Sequence, residues 1–179
     1  MKGNKTVVLF LIKFFGTYLL LFLLYSYYLE KTQNETDSGF ACAPITKTVA
    51  EQTQYLLTIF GYPTEIKQDT ETLAVKLFIN GNFTAFIVEG CNSISIIILF
   101  ISFIVAFAGK FKTTVLYILF GSLLIYFTNI IRIVVIAIAL YKYPEYEKVL
   151  HEIIFPSIIY GITFLLWFIW IRKFSTLKK

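Results

Sequence analysis

The stretch TTVLYILFGSLLIYFTNIIRIVVIAIAL, residues 113–140, has one charged side chain, that of Arg132. A membrane-spanning helix needs roughly 20 mostly apolar residues to cross a hydrocarbon core about 30 Å thick, and this stretch exceeds that length. It therefore predicts a transmembrane helix. Arg132 is a candidate functional residue, because an ionisable group is costly to keep inside such a helix.

The composition of the whole chain agrees with this prediction. Of its 179 residues, 58% are hydrophobic and 15% are charged, whereas a soluble domain carries about 25% charged residues. Disorder is excluded, because disordered segments combine low hydrophobicity with high net charge. An ordinary soluble domain is disfavoured, since too few polar residues remain to cover its surface. An integral membrane protein is the expected class.

Three other apolar runs complete the predicted architecture. The first run begins with basic residues like a signal peptide, but it is too long for a cleaved one and no small-residue cleavage site follows. We therefore expect an all-α polytopic membrane protein of about four transmembrane helices, with residues 1–179 forming one membrane-embedded domain. The expected spans are residues 7–29, 91–109, 114–140 and 153–171, with a long outer loop at residues 30–90.

The charges of the chain indicate its orientation. Nine basic residues and no acid fall on the side of the two termini, and all eleven acids fall on the other side. Cytoplasmic loops are enriched in Lys and Arg, so we expect both termini in the cytoplasm and residues 30–90 and 141–152 outside it. The net charge of +5 is then mainly an orientation signal, and no nucleic-acid partner is expected.

The outer loop has predicted structure of its own. Residues 45–60 place Ile45, Val49, Leu56 and Phe60 near one helical face, which is typical of a helix lying on the membrane surface. Residues 72–79 and 83–88 are β-branched and aromatic runs on either side of Asn80-Gly81-Asn82. This pattern predicts a β-hairpin.

Arg132 has a polar neighbour, Asn129, three residues earlier on the same helical face. In one interpretation, Arg132 extends to the outer headgroups while its aliphatic stem stays in apolar surroundings. Eight apolar residues follow it, 133–140, so this interpretation is incomplete. In the other, Arg132 is a functional cation within the membrane.

Cys91 and His151 lie near the same predicted membrane face as Arg132. Cys91 begins the second predicted span, where the positive end of the helix dipole favours a thiolate. A disulfide with Cys42, also on the outer side, is the alternative. His151, the single histidine, begins the fourth span. A histidine can take and return a proton near neutral pH, although a lone one at a membrane interface is more often incidental.

The conjunction of these three residues is more informative than each alone. The orientation is inferred from the counts of Lys, Arg and acidic residues, without use of Cys91 or His151. It nevertheless places Cys91, Arg132 and His151 at one membrane face and on three different helices. A thiol, a base and a fixed cation are the groups needed for acyl transfer through a thioester. The sequence has no Cys/His cluster for zinc and no Gly-rich phosphate loop. We therefore expect neither a metal nor a cofactor.

The same residues resemble a known family, the exosortases and archaeosortases. The matching elements are Glu89-Gly90-Cys91-Asn92 at a helix start, Asn129-Ile130-Ile131-Arg132 within the next helix, and His151 with Gly161 around the last. The resemblance covers residues 88–171, about half the chain. The short length and single long outer loop are most similar to the compact exosortase F type. Many members have glycine where this chain has Ser93.

The resemblance implies a cysteine peptidase or transpeptidase of the bacterial inner membrane, with its active site on the periplasmic side. Its substrates would be exported proteins that end in a short motif, a transmembrane helix and a basic cluster. Besides these proteins and the lipid bilayer, a small associated membrane protein is a further expected partner. The implied roles are nucleophile for Cys91, proton transfer for His151, thiolate or oxyanion stabilisation for Arg132, and support for Asn129, Glu89 and Asn92.

Two alternatives stay open from the residues alone. A non-catalytic membrane assembly or scaffold protein would use Cys42 and Cys91 as a structural disulfide and Arg132 to bind lipid or a partner helix. A small transporter would use Arg132 to recognise an anion. The four predicted helices have no evident inverted repeat, which disfavours the transporter.

Overall fold

The architecture comes from a computed structural model that describes residues 2–33, 41–69, 71–107 and 109–175, without the side chains of residues 2–4, 6, 151–152 and 155. The chain is mostly helical, and a small sheet lies between its second and third helices. The helices are α1 (Lys2–Thr32), α2 (Pro44–Ile59), α3 (Ile94–Ala106), α4 (Phe111–Lys142), α5 (Glu147–Val149) and α6 (Phe155–Lys173).

Two helical segments of the described chain are long and apolar enough to cross a membrane, Val7–Thr32 of α1 and Phe111–Lys142. They occupy the positions of the first and third predicted spans. The apolar side chains of α1 are largely exposed, with Leu20 at 59% and Leu24 at 58%. A continuous apolar surface of this kind is unfavourable in water and suits lipid contact, as expected for a membrane protein.

The other two predicted spans correspond to shorter helices. The helix α3 has 13 residues, a length of about 20 Å at about 1.5 Å per residue, and begins at Ile94 rather than at Cys91. The 3-10 turn Glu89–Asn92, here called the cysteine turn, precedes it. The helix α6 has 19 residues and follows the π-helical segment Leu150–Ile154. That the chain crosses the membrane four times stays a prediction.

The predicted hairpin is confirmed, as part of a larger sheet. Strands β2 (Val75–Ile79) and β3 (Asn82–Ile87) are antiparallel. Asn80 and Gly81 join them with φ angles of 50° and 77°, and two positive φ angles suit the tight turns of twisted hairpins. Strand β1 (Thr64–Gln68) pairs with the other side of β2, which gives the order β1-β2-β3. The sequence prediction lacks β1.

One face of the sheet and one face of α2 pack against the second half of α4. We call the resulting cluster the sheet-side core. It buries apolar surface that the outer segment cannot bury by itself, and so joins that segment to the long helix. Its buried members are Cys42, Val49, Ala50, Leu57, Val75, Leu77, Ile79, Ile87, Ile130, Ile133, Val134 and Ala137.

The helix predicted within residues 45–60 is present as α2, and its position on the membrane surface stays a prediction. On its predicted apolar face, Val49 is fully buried, whereas Phe60 follows the helix and is 62% exposed. Thr46 and Thr53 are buried as well. The Thr53 hydroxyl donates to the Val49 carbonyl at 2.8 Å, and a threonine with such a bond can face a core without losing its hydrogen bonding. The face of α2 that packs within the protein therefore includes two threonines that the apolar pattern does not identify.

A second cluster, here called the aromatic core, joins α3, the first half of α4 and α6. Its buried members are Phe100, Ile104, Ile125, Ile159, Leu166 and Trp170. The Trp170 indole donates to the Phe107 carbonyl at 2.9 Å, so its polar atom is satisfied. The cysteine turn connects β3, a strand of the sheet-side core, to α3, a helix of the aromatic core.

Candidate active site

A pocket of about 150 Å³ between β3 and α4 contains two of the three predicted catalytic residues, Cys91 and Arg132. Larger depressions between α2 and α4 contain neither residue. We therefore take the smaller pocket as the candidate active site, because it holds a thiol and a guanidinium together. Its lining is residues 83–87 of β3, Cys91, Glu147, and Arg132, Ile133, Ile136, Ala137 and Leu140 of α4.

The backbone of Cys91 is held on two sides. Its N–H donates to the Val88 carbonyl at 2.8 Å, which closes the cysteine turn. Its carbonyl accepts a hydrogen bond of 2.6 Å from the side-chain amide of Asn129 on α4. Asn129 is 1% exposed, so the donor of this bond is shielded from water. The half-buried Cys91 is thus fixed to α4, the helix that carries Arg132.

Glu89 connects the cysteine turn to the start of α2. Its carboxylate accepts hydrogen bonds from the Ala43 N–H at 2.7 Å and from the Thr46 hydroxyl. Free N–H groups and a partial positive charge at a helix N-terminus favour a carboxylate in this position. Glu89 therefore acts as a capping group for α2 from a distant part of the chain.

Asn92 connects the same turn to α1 and α3. Its side-chain amide donates to the Tyr25 hydroxyl at 2.7 Å and to the Thr46 hydroxyl at 3.0 Å. Its side-chain oxygen accepts from the Ile94 N–H at 3.0 Å, at the start of α3. Asn92 is 1% exposed. The three residues predicted to support the site, Glu89, Asn92 and Asn129, thus all make hydrogen bonds that hold the cysteine turn.

Ser93 has the backbone conformation that glycine favours. Its φ is 64°, in the left-handed region, which costs a residue with a Cβ about 1–2 kcal/mol. This conformation separates the cysteine turn from α3 and explains why the helix begins after Cys91. The helix dipole invoked for Cys91 therefore starts three residues further along the chain than predicted. The Ser93 hydroxyl donates to the Asn92 carbonyl at 2.6 Å.

Arg132 lies one helical turn after Asn129 and faces the same pocket. It is half-buried, and its guanidinium interacts electrostatically with Cys91 and with Tyr160 of α6. The predicted proximity of Arg132 to Cys91 is therefore present in the structure. A half-buried cation in this position can stabilise negative charge that develops in the pocket.

His151 lies in the π-helical segment Leu150–Ile154, and its side chain is outside the described part of the structure. Its encounter with Cys91 stays a prediction. Glu147, four residues earlier, lines the pocket, so the segment leading to His151 borders the site. Single π-helical turns occur often at functional sites, because they change the direction of neighbouring side chains.

Sequence reasoning missed Glu147, Tyr160 and Tyr25. Glu147 looked like one of several loop acids, although its spacing of four from His151 was a usable signal. Tyr160 and Tyr25 sit within apolar runs that already contain many aromatic residues, and nothing in the sequence separates them from packing residues. Their contacts depend on how α1 and α6 pack, which a linear pattern does not contain.

Cys42 and Cys91 are both free thiols in the structure. The disulfide required by the scaffold alternative is therefore not formed. Cys42 is 3% exposed in the sheet-side core. Its burial, and secondarily the nearby Glu89 carboxylate, raise the pKa of the Cys42 thiol, which makes it a poor nucleophile. Among the described residues, no group of three or more His, Cys, Asp or Glu could hold a metal ion.

Comparison with known proteins gives one result. A family model described as Transmembrane exosortase (Exosortase_EpsH) matches residues 5–170. The matched range includes the cysteine turn, Asn129, Arg132 and the π-helical segment. No curated protein and no solved structure matches the chain.

Proposed function

The chain belongs to the transmembrane exosortase family, and on that premise we propose that it is a membrane-embedded cysteine peptidase or transpeptidase that cleaves C-terminal sorting signals of exported proteins. One observation carries this proposal: Cys91 and Arg132 line the same pocket, and the Cys91 backbone is anchored by Asn129. A nucleophile held beside a cation suits a reaction in which negative charge develops on the substrate.

The reaction proceeds through a thioester. The Cys91 sulfur attacks the carbonyl carbon of the scissile peptide bond, and a C–S bond forms. The tetrahedral intermediate collapses by breaking the C–N bond, and the leaving amine takes a proton from His151. An amine acceptor or water then attacks the thioester, the C–S bond breaks, and the proton of the attacking group goes to His151. The cysteine thiolate is regenerated in this last step.

Arg132 stabilises negative charge in both half-reactions. Before attack the charge resides on the Cys91 sulfur, and in the tetrahedral intermediate it moves to the former carbonyl oxygen. A half-buried guanidinium acts more strongly than an exposed one, because water screens it less. Glu89, Asn92 and Asn129 are positioning residues: they act on the cysteine turn and touch no reacting atom.

The substrate reaches the site from within the membrane. Its own transmembrane helix anchors it, and it diffuses laterally until the peptide bond before that helix reaches the level of Cys91. In the proposed arrangement four helices cross a bacterial inner membrane and the pocket faces the periplasm. The charge distribution supports the orientation with both termini cytoplasmic. The compact F type remains the expected subclass.

The test replaces Cys91 by Ala and, separately, by Ser in the native host. Membrane proteomics then compares the C-terminal peptides of exported proteins. Both variants should retain uncleaved sorting signals, with processing reduced roughly a thousandfold or more, since the nucleophile is lost. Cys42→Ala is the matched control. It removes the other thiol, which is buried outside the pocket, and should process signals normally.

The outcome also separates the enzyme from the scaffold alternative. Normal processing by both Cys91 variants would contradict the nucleophile assignment. Labelling with a small thiol reagent adds a second criterion. A reactive Cys91 without added reductant supports the enzyme, whereas a Cys91 that reacts only after reduction supports a structural disulfide.

A further inference from the structure

Strand β3 is at the edge of the sheet. In the order β1-β2-β3 it pairs with β2 alone among the strands of the described ranges. An edge strand presents a row of backbone N–H and C=O groups that can pair with another chain. Proteins normally shield such groups, so an edge beside a candidate catalytic pocket calls for a functional explanation.

The hairpin register identifies the backbone groups at this edge. Ile79 and Asn82 flank the two-residue turn, and the flanking residues of such a hairpin form a hydrogen-bonded pair. In an antiparallel ladder, hydrogen-bonded residue pairs alternate with non-hydrogen-bonded pairs. This alternation continues past the bulge opposite Leu77, so the pairs Phe78–Phe83 and Lys76–Phe86 are both non-hydrogen-bonded. The N–H and C=O groups of Phe83 and Phe86 therefore point away from β2.

The candidate pocket follows this edge. All five residues from Phe83 to Ile87 line it. Successive side chains of a strand point to opposite faces of the sheet. A pocket lined by five consecutive residues therefore follows the edge of the strand and does not cover one face alone. The chain then continues through Val88 into the cysteine turn, and Cys91 lines the same pocket. The edge leads directly to the nucleophile.

We propose that the free edge of β3 binds the extended backbone of the substrate peptide as an added strand, and thereby presents the scissile bond to Cys91. This inference rests on the proposed function. Backbone pairing supplies affinity that depends little on sequence, and side-chain pockets supply selectivity. The opposite wall consists of Ile133, Ile136, Ala137 and Leu140, so the side chains facing α4 should be small or apolar.

The first test compares two alkylating probes on the full chain in detergent. Acetyl-trialanyl chloromethyl ketone has a peptide backbone, and chloroacetamide has none. In both, the Cys91 sulfur displaces chloride from carbon and a stable C–S bond forms. Each rate is normalised to that of the same probe with glutathione, and Cys91→Ala corrects for other sites. The normalised rate of the peptide probe should be about ten times that of chloroacetamide. One to two net hydrogen bonds can supply this tenfold gain in rate.

Variants of Phe86 test the edge itself. Phe86→Pro removes the outward N–H, and Phe86→Ala removes only the aromatic ring, which is 49% exposed. The chloroacetamide rate of each variant is its own reference, so that any general change at the pocket cancels from the ratio. The gain of the peptide probe over chloroacetamide should fall to about twofold or less in Phe86→Pro, and should stay clearly higher in Phe86→Ala, which keeps the N–H. Equal gains in Phe86→Pro and Phe86→Ala would overturn the proposal.

A modified probe avoids dependence on folding of the proline variant. N-methylation of the central alanine blocks backbone pairing without altering the protein, and should reduce the tenfold gain to a similar extent. An N-methylated probe that reacts as fast as the parent would overturn the strand pairing. If Cys91→Ala also abolishes signal processing, the proposed function survives that result. Normal processing by Cys91→Ala would instead overturn the proposed function.

Discussion

In the aromatic core, a glycine in α4, Gly121, leaves room for the fully buried Phe100 ring. At the cysteine turn, by contrast, the side chains of Glu89, Asn92 and Asn129 supply hydrogen bonds that fix the backbone. The packing of the aromatic core depends on the shapes of its side chains, whereas the conformation of the cysteine turn depends on hydrogen-bond donors and acceptors. Added volume should therefore damage the first, and loss of a single donor should damage the second.

The largest expected effect on stability comes from adding a methyl group to the aromatic core. In Gly121→Ala the new Cβ would lie 2.3 Å from a Phe100 ring carbon, so the ring or the helix must shift. Overpacking of this kind costs about 1–3 kcal/mol. Gly16→Ala in α1 is the matched control, since no atom lies within 4 Å of its added Cβ. Thermal unfolding in detergent should show a lower Tm for Gly121→Ala alone.

Loss of the Asn129 donor should affect activity more than folding. Asn129→Leu keeps the branching and the number of side-chain heavy atoms but leaves the partly buried Cys91 carbonyl without its donor, at a cost of about 1–3 kcal/mol. A displaced nucleophile can lower turnover about a hundredfold. Tyr126→Phe, which removes the 2.7 Å bond from the same helix to Gln52, should process signals normally. Equal processing of sorting signals by both variants would contradict the positioning role of Asn129.

Substitutions of Ser93 test the strained end of the cysteine turn. Ser93→Gly should raise stability by about 0.5–1 kcal/mol, because glycine adopts a positive φ without steric cost. Ser93→Ala keeps the strain and loses the hydroxyl bond to Asn92, so it should be the least stable of the three. Denaturant unfolding would measure the order. A stability of Ser93→Ala equal to that of Ser93→Gly would show that φ is not strained.

The smallest predicted effect is a pH dependence in the sheet. Asp69 is 6% exposed and lies 2.6 Å from the Lys76 ammonium. Hydrogen bonds from Lys76 and then Thr72 lower the Asp69 pKa to about 2. A lowered pKa stabilises the folded state above the ordinary pKa of about 4, and that contribution is lost as the pH falls from about 4 to about 2.

The measurement is Tm from pH 5 to pH 2 for the wild type and Asp69→Asn. The wild type should be the more stable at pH 5, and the difference should shrink on acidification. Glu65→Gln, which breaks an exposed ion pair with Lys67 on the same sheet, should change Tm little, because exposed pairs contribute little. A difference that stays constant with pH would contradict the Asp69 assignment.

Long apolar runs and turn chemistry predicted much of the fold. The segments that became α1 and α4 are identifiable by hydropathy, and Asn80-Gly81 indicates a hairpin by its tolerance of positive φ. Strand β1, TEIKQ, was missed because Ile66 is its only strongly apolar residue. The burial of Thr46 and Thr53 in α2 could not be read from the apolar pattern, because threonines with satisfied hydroxyls can pack inward.

The site could be predicted in part. Charge counts and helix order correctly brought Cys91 and Arg132 together, since topology constrains which helix ends can meet. The role of Glu89 as a cap for α2 could not be predicted, because the contact joins residues 46 positions apart. Tyr160 near Arg132 depends on the packing of α6, which sequence periodicity does not determine.

The most direct test of the central claim is detection of the acyl-enzyme on Cys91. The full chain is purified from cells that make its substrates, digested, and examined by mass spectrometry with and without hydroxylamine. We predict that a fraction of the Cys91 peptide carries the new C-terminus of an exported protein, that hydroxylamine releases it, and that the adduct is absent from Cys91→Ala. Processing of substrates with a Cys91 that never carries such an adduct would contradict the account.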